Sequence, residues 1–372
     1  MMAESDPLQT PGAHENGDVT LGPSCNKIIQ DYLLEHDETF RHLREIREQG
    51  WKNTEADDHF KRNREVADNS KSNAKTRVHF FKMMVAVGCE LDKHTQALSN
   101  IGRNNQRPVV LDLCMAPGGF SAAVLKVNPT ASLHGITLPS ELGGHELLLA
   151  HKDLNVLSMD ITLLAAEMGI KPEDVPKDHP DAGMFVFTRP FPDIKADLVF
   201  CDGQVLRPHA EHRADYRQNT EATRLDSAQL VLGLNRIKPG GTMIILCHRL
   251  EAWHTTNLIY KFSRFSNIRV HKAKTSHQVK SSFYLIATKV QPESEEARRA
   301  VERWKRAWRR TTFWGSELAE EEDGKDPTIV DGGDRVEDVL EAFGGRLIEL
   351  GRPVWRLQAN AIQNSWWFKK QK

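Results

Sequence analysis

The residues around position 112 are the first in the chain whose types and spacing could do chemistry. Asp112 lies in the apolar run 109–114, and the small-residue turn 116–119 then opens a helical pattern. Glycine lets backbone approach a ligand closely, and a strand, a turn and a helix in this order form the ligand crevice of open α/β sheets. The segment therefore predicts a site for a nucleoside-bearing cofactor. The alternative for this stretch alone is an ordinary strand-to-helix connection.

Four further polar residues occupy positions that suit a site, and each has a structural alternative. Asp202 follows the apolar run 196–201, and Asp160 precedes Ile-Thr, where it could instead cap a short helix. Lys82 lies on a helical pattern, where most lysines are solvated. His248 lies at the end of a strand pattern, where it is either a base or a hydrogen-bonded histidine.

Alternating apolar runs and helical patterns predict the elements that would position these residues. Such alternation predicts an α/β fold with a mostly parallel sheet, and the polar connection between the last two runs suggests an antiparallel edge. Helical patterns cover 27–48, 70–97, 219–237, 293–308 and 334–350. The predicted strands are 109–114, 132–138, 196–201, 242–247, 267–271 and 283–288.

The chain divides by composition into four predicted regions. Residues 1–25 predict a disordered tail, 26–69 a helical extension, 70–290 the α/β domain, and 291–372 a helical extension rich in Trp and Arg. The last region could stack RNA bases on its tryptophans. The favoured alternative is that Trp304, Trp308 and Trp314 pack on the domain while the arginines face water.

Composition limits the classes of protein that fit. The 372 residues include 50 basic and 51 acidic side chains, so whole-chain charge does not indicate a nucleic-acid binder. The five cysteines are scattered, which predicts reduced core residues and neither a disulfide framework nor a metal site. Without an apolar run of membrane-spanning length or a secretory signal, we expect a cytoplasmic or nuclear protein with no membrane partner.

The string Leu111-Asp112-Leu113-Cys114-Met115-Ala116-Pro117-Gly118-Gly119-Phe120-Ser121 resembles motif I of the FtsJ/RrmJ-like methyltransferases, and the likeness continues in order over about 70–290. It implies a Rossmann-like methyltransferase fold that uses S-adenosylmethionine to methylate ribose 2′-hydroxyls of RNA. The implied cofactor-binding residues are Asp112, Ala116, Pro117, Gly118, Gly119, Phe120, Ser121, Thr137 and Asp160, where Asp160 would contact the adenine amino group.

The resemblance also implies a Lys-Asp-Lys-Glu catalytic tetrad, of which half is present. Lys82 and Asp202 match its first two members, whereas Leu246 and Ser282 stand where the second Lys and the Glu are expected.

Three explanations for the incomplete tetrad stay open. A nearby lysine, Lys261, Lys272 or Lys280, could supply the missing ammonium. His248 could act as the base toward a small-molecule hydroxyl. Alternatively, the domain binds cofactor or RNA without transferring a methyl group.

Overall fold

The computed structural model describes residues 22–51, 73–101, 107–205, 217, 219–313 and 334–369. Most of the predicted tail, the side chain of Trp314 and the acidic run 320–323 lie outside these ranges.

A seven-stranded sheet forms the centre of the fold. Its strand order is β3-β2-β1-β4-β5-β7-β6; β1 to β5 are parallel, and β7 is antiparallel to both β5 and β6. The predicted α/β class and antiparallel edge are thus confirmed. The strands are β1 Val109–Leu113, β2 Ser132–Thr137, β3 Leu154–Ser158, β4 Ala196–Cys201, β5 Ile237–His248, β6 Asn267–His271 and β7 Ser282–Thr288.

Helices cover both faces of the sheet. Side-chain caps fix where some of them begin: the backbone N–H of Thr76 donates to the Asn73 side chain at 3.0 Å, and that of Ala297 to Ser294 Oγ at 3.2 Å. The helices are α1 Gly22–His36, α2 Glu38–Trp51, α3 Ala74–Thr95, α4 Gly119–Val127, α5 Glu221–Arg236, α6 Trp253–Phe265, α7 Glu295–Thr312, α8 Val336–Gln363 and α9 Trp366–Lys369.

The two faces of the sheet carry separate apolar cores, because alternate residues of each strand point to opposite sides. On β1, Leu111 and Leu113 pack with α5 to α8 and the amino-terminal helices, while Val110 packs with α3 and α4. Asp112 alternates onto the second face and is buried there.

The amino-terminal helices pack against α8. Arg47 Nη1 donates to Glu251 Oε1 at 2.6 Å, and Arg47 Nη2 donates to Gln358 Oε1 at 2.9 Å. Arg352 Nε donates to Asp37 Oδ2 at 2.7 Å. Polar contacts of the buried Asp37 and Glu251 carboxylates and of Gln358 thus hold the amino-terminal helices against α8 and the segment before α6. The boundaries of the four predicted regions stay predictions.

Three local features differ from expectation. Strand β3 was not predicted, because its five-residue sequence LNVLS neither alternates apolar and polar residues nor forms a continuous apolar run. The single helix predicted over 27–48 is two helices, since the Asp37 carboxylate accepts the backbone N–H of Phe40 at 2.8 Å and so begins α2. Helix α1 also begins at Gly22, inside the predicted tail.

The tryptophans of α7 lie in the core, as the favoured alternative predicted. Trp304 and Trp308 are buried, and the Trp308 Nε1–H donates to the Thr162 carbonyl oxygen at 2.9 Å. Arg303 and Arg309 on the same helix are partly exposed. Among the described helices, none combines the length and the apolar character that crossing a membrane requires.

Candidate functional site

The predicted site residues Asp112 and Asp202 lie at the carboxyl ends of β1 and β4, the neighbouring strands at which the strand order reverses. Strands β1 and β4 are parallel neighbours, with Leu113 paired to Cys201, so Asp112 and Asp202 both lie at the carboxyl ends of the strands. Ligands of open α/β sheets bind in the crevice at this position.

Asp112 is buried on β1. Ser121 Oγ donates to Asp112 Oδ2 at 2.6 Å, which joins the strand to the first turn of α4. Burial raises the pKa of Asp112 to about 7, against the opposing effect of its hydrogen bonds from Ser121. The carboxyl group is therefore poised between its neutral and charged forms near pH 7.

Asp202 directly follows β4 and is held by its neighbour Gly203. The Gly203 N–H donates to Gln229 Oε1 at 2.8 Å, and a Cβ at Gly203 would lie 2.5 Å from Cys114 Sγ. Burial, then the negative charge of Asp112, raise the pKa of Asp202 to about 8, while a hydrogen bond with Tyr284 opposes them.

The Oδ1 atom of Asp202 is buried and has no hydrogen-bond partner among the described residues. A buried oxygen without a partner is costly, and it marks a point where a ligand donor would fit. No cation of the described chain contributes to the pKa of Asp202, which is why its carboxyl group is not held in the charged form.

Four carboxylates interact electrostatically with Cys114, the residue that directly follows β1. The pKa of the Cys114 thiol is raised by burial and then by the charges of Asp112, Asp160, Asp202 and Asp226. We call these four aspartates the acidic crevice. Sequence reasoning missed Asp226 on α5, whose pKa burial raises to about 7. It stands between Leu225 and Ser227 in a helical pattern, and no local sequence signal marks it.

The turn 116–119 makes close contacts within the protein. Gly118 has φ of +97°, and a Cβ there would also lie 2.8 Å from Leu149 Cβ. At Gly119 a Cβ would lie 2.4 Å from Met84 Cβ, so this glycine permits α3 and α4 to pack closely. The Leu148 N–H donates to the Pro117 carbonyl at 3.1 Å. Both glycines are thus required by packing, whatever else they contact.

The remaining predicted cofactor residues differ in their surroundings. Ala116 and Thr137 are partly buried, and Thr137 ends β2, at the same edge as Asp112. Phe120 is buried in the second core, where its ring stacks on Phe200 with centroids 5.3 Å apart. The structure explains Phe120 by packing, and its contact with a cofactor stays a prediction.

Asp160 caps a short helical turn and pairs with a buried arginine. Its Oδ1 accepts the Thr162 N–H at 2.9 Å and the Thr162 Oγ1–H at 2.7 Å, and its Oδ2 lies 3.0 Å from Arg217 Nη2. Arg217 also contacts Glu221 at 2.7 Å. Despite burial, the Arg217 charge and these hydrogen bonds lower the pKa of Asp160. The capping role is therefore present, and contact with adenine stays a prediction.

The tetrad positions are only partly brought together. Leu246 pairs with Tyr284 across β5 and β7, and the Tyr284 hydroxyl hydrogen-bonds Asp202. Two residues beyond Leu246 on β5, His248 pairs with Ser282 of β7. Lys82 is exposed on α3 and has no described contact with Asp202. Asp202 thus has a tyrosine hydroxyl as its described partner, and the catalytic role of Lys82 stays a prediction.

Basic side chains gather at the carboxyl end of β5 and in the loop before β7. Burial, then the charges of His254, Lys280 and Lys272, lower the pKa of His248 to about 4. Its Nε2 lies 2.9 Å from Gln204 Nε2, so the neutral ring accepts a hydrogen bond there. We call the following set the basic edge: His248, Arg249, His254, Lys272, His277 and Lys280.

The three candidate lysines have different surroundings. Lys272 Nζ donates to the carbonyl oxygens of His277, Lys280 and Ser282 at 3.3, 2.5 and 2.9 Å, so its three protons are used within the loop. Lys261 lies 3.9 Å from Asp334 Oδ2 on the other core face. Lys280 acts electrostatically on His248.

Three solved structures that match part of the chain are described as methyltransferases, and all are of low sequence identity. One is described as a ribosomal RNA methyltransferase from Plasmodium falciparum, with 15% identity over 54% of this chain and 93% of the other, and a TM-score of 0.35. An O-methyltransferase family protein from Burkholderia thailandensis is 14% identical over 60% and 62% of the two chains, with a TM-score of 0.33.

A third structure is described as a class I S-adenosylmethionine-dependent methyltransferase from Listeria monocytogenes. It is 12% identical over 56% of this chain and 61% of the other, with a TM-score of 0.34. No curated protein sequence matches the chain.

The model of one protein family matches a large part of the sequence. It describes FtsJ-like methyltransferases and matches residues 89–290, which is more than half of the 372 residues. The matched segment contains all seven strands, as well as Asp112 and Asp202. The chain therefore belongs to the FtsJ-like methyltransferase family and is a methyltransferase enzyme.

Proposed function

We propose that this enzyme transfers a methyl group from S-adenosylmethionine to the 2′-hydroxyl of a ribose in RNA. The observation that carries the proposal is that acidic groups cluster at one part of the carboxyl end of the sheet and basic groups at the adjoining part. The acidic crevice lies at β1 and β4, and the basic edge follows at β5 and β7. Such an arrangement suits a cationic methyl donor beside a polyanionic acceptor.

The acidic crevice fits the methyl donor. S-adenosylmethionine carries a positively charged sulfonium and an ammonium group. Of the four aspartates that act on Cys114, Asp160 pairs with Arg217, and the other three have no described ion-pair partner. Asp112 and the turn 116–121 would hold the methionine and ribose end, with Thr137 beside them and Asp160 at the adenine. When bound, the donor supplies an electrophilic methyl group.

Asp202 is the group best placed to handle the acceptor proton. Its buried Oδ1 has no partner in the described chain, so it is free to accept a hydrogen bond from an incoming hydroxyl. The raised pKa makes this carboxylate a stronger base than an ordinary aspartate. Tyr284 orients the group through its own hydroxyl.

His248 is a weaker candidate for the base. Its pKa of about 4 makes the imidazole a poor proton acceptor, and the Gln204 amide already donates toward its Nε2. These surroundings favour Asp202 over the His248 mechanism, and with it they weigh against an acidic small-molecule hydroxyl as acceptor.

The basic edge would bind the phosphates that flank the target ribose. Arg249 and Lys280 are the long basic side chains that would contact RNA phosphates, and the release of counterions from RNA then adds favourable free energy. A neutral small molecule would gain nothing from these charges.

The test is a labelled-methyl assay that offers total cellular RNA and a small-molecule extract together. We expect label in RNA, recovered as 2′-O-methyl nucleotides that resist alkaline cleavage of the following phosphodiester. Asp202→Asn should lower the rate by at least about 100-fold. Asp31→Asn, the same change at an exposed residue of α1, is the matched control.

Each other outcome would overturn part of the proposal. Label on RNA bases excludes the ribose acceptor, and label only in the small-molecule fraction excludes RNA. Cofactor binding by calorimetry without any transfer would indicate a binding domain. An unchanged rate in Asp202→Asn would exclude the assigned role of Asp202.

A further inference from the structure

Three potential metal ligands lie close together beside β6, the outer strand of the sheet, and none of them belongs to the acidic crevice. Glu90 and His94 lie one turn apart on α3, and His271 is the last residue of β6. One ligand atom from each residue lies within 4.8 Å of those of the other two. Because residues four apart share one face of a helix, both α3 side chains point toward the edge strand β6.

His271 provides an observation that is independent of this clustering. The side chain is only 8% exposed, and its buried Nε2 has no hydrogen-bond partner within the described chain. Glu90 Oε1 lies 3.8 Å from this nitrogen, which is too far for a hydrogen bond. A buried ring nitrogen that faces a carboxylate without contacting it suits a bound cation between them.

The surrounding hydrogen bonds leave His94 and Glu90 able to coordinate. His94 Nδ1 donates to the Glu90 carbonyl oxygen at 2.8 Å, so the lone pair of the neutral ring is on Nε2. Glu90 Oε1 accepts the Lys274 N–H at 2.7 Å, and Oε2 accepts the Thr275 N–H at 3.0 Å. Metal ligands are commonly oriented by such outer hydrogen bonds.

We propose that Glu90, His94 and His271 bind a divalent transition-metal ion, with Zn²⁺ as the best match. Two imidazoles and one carboxylate form a common zinc ligand set, and the fourth position is left for water because His94 is exposed. Bond lengths of about 2.0–2.1 Å place tetrahedral ligand atoms roughly 3.4 Å apart. The ligand atoms lie within 4.8 Å of one another, so a closure of at most roughly 1.4 Å is required. Rotation of the exposed His94 side chain brings its nitrogen closer, and His271 Nε2 and Glu90 Oε1, now 3.8 Å apart, approach by about 0.4 Å.

The ion would fix part of the acceptor side of the sheet. It would tie α3 to β6, and Glu90 would hold the loop at Lys274 and Thr275. His271 pairs with Tyr284, the residue that contacts Asp202. The cysteine pattern predicted no metal site; this cluster contains no cysteine, and 177 residues of sequence separate His94 from His271.

The test uses tag-free, chelator-treated full-length protein and Zn²⁺ in calorimetry. We expect about one ion per chain, and d–d absorption bands when Co²⁺ replaces Zn²⁺. His94→Ala and Glu90→Gln should each weaken Zn²⁺ binding by at least about tenfold. Zn²⁺ should also raise the melting temperature of the unmodified protein, and raise it less in either variant.

His36→Ala is the matched control. His36 Nδ1 makes the same bond to a carbonyl one turn earlier, Tyr32 O at 2.8 Å, but His36 does not belong to the cluster. The variant should bind Zn²⁺ as the unmodified protein does. Because His271 is buried and its replacement could unfold the chain, the two α3 variants decide the test. Binding that is absent, unaffected by both, or equally weakened by His36→Ala overturns the proposal.

Discussion

The acidic crevice and the basic edge occupy one side of the same sheet and show opposite electrostatic imbalance. In the crevice, buried carboxyl groups have raised pKa values, about 7 for Asp112 and about 8 for Asp202. At the basic edge the pKa of His248 falls to about 4 and that of Lys272 to about 7. Each region holds like groups that burial drives toward neutrality. The missing opposite charges are those that a cationic donor and a polyanionic acceptor would supply.

The largest expected effect concerns the basic edge. Arg249→Gln combined with Lys280→Gln should weaken RNA binding roughly 100-fold at low salt and reduce the salt dependence by about two counterions. Cofactor affinity should stay unchanged, because these residues do not act on Cys114. Fluorescence anisotropy over a salt series measures the first quantity and calorimetry the second. If the dependence of RNA affinity on salt concentration is unchanged, the basic edge does not bind RNA.

The next effect is a pH dependence of cofactor binding. Asp112 and Asp202 lose their protons between about pH 6 and pH 9, and their charged forms attract a cation. Affinity for S-adenosylmethionine should therefore rise roughly tenfold across this interval, with proton release on binding. Calorimetry in buffers of different ionisation enthalpy detects the protons. In Asp202→Asn, cofactor affinity should change less with pH near pH 8. A cofactor affinity that falls as pH rises would contradict the proposal that these aspartates bind the cation.

A smaller effect is expected on stability. The pKa of Asp202 is about 8 in the folded chain and 3.8 ordinarily, so between these values the folded state binds more protons. The free energy of unfolding should then fall as pH rises from about 4 to about 8. Asp202→Asn removes this loss, so at pH 8 the variant should be more stable by at least about 1 kcal/mol, and by no more than the roughly 5–6 kcal/mol that the full difference between the two pKa values represents, with little difference at pH 4. Urea denaturation at both pH values measures it, with Asp31→Asn as reference.

The smallest effect is expected at His248. Because its pKa is about 4 and its Nε2 already accepts from Gln204, His248→Ala should change the methyl-transfer rate less than about threefold. Initial rates with RNA test this. A loss of about 100-fold in the rate that raising the pH does not restore would instead identify His248 as the base. It would also indicate a phenol-like acceptor.

Local sequence patterns predicted most of the sheet but little of the site geometry. Six of the seven strands follow from apolar runs, while the short, half-polar β3 gives too weak a signal. Motif I located Asp112 and Ser121, which contact each other. Glycine composition could not show that Gly119 serves the packing of α3 on α4, since that contact depends on Met84, far from it in sequence.

Contacts between distant segments explain the rest of what the sequence left undetermined. Arg217 and Asp160 are 57 residues apart, and Tyr284 reaches Asp202 only because β7 lies beside β5. The substitution at Leu246 was visible in the sequence; the tyrosine hydroxyl beside Asp202 was not. Pairing across a sheet is a property of topology, and no local periodicity encodes it.

The polar contacts between the amino-terminal helices and α8 have a consequence for how the chain folds. Arg47 and Gln358 are 311 residues apart, and Asp37 and Arg352 are 315 apart. Helices α1 and α2 can therefore bury the apolar faces that contact α8 only after α8 has been synthesised, and those faces stay uncovered while the intervening residues are made. Folding of this enzyme has a late closing step, in which α8 covers the amino-terminal helices.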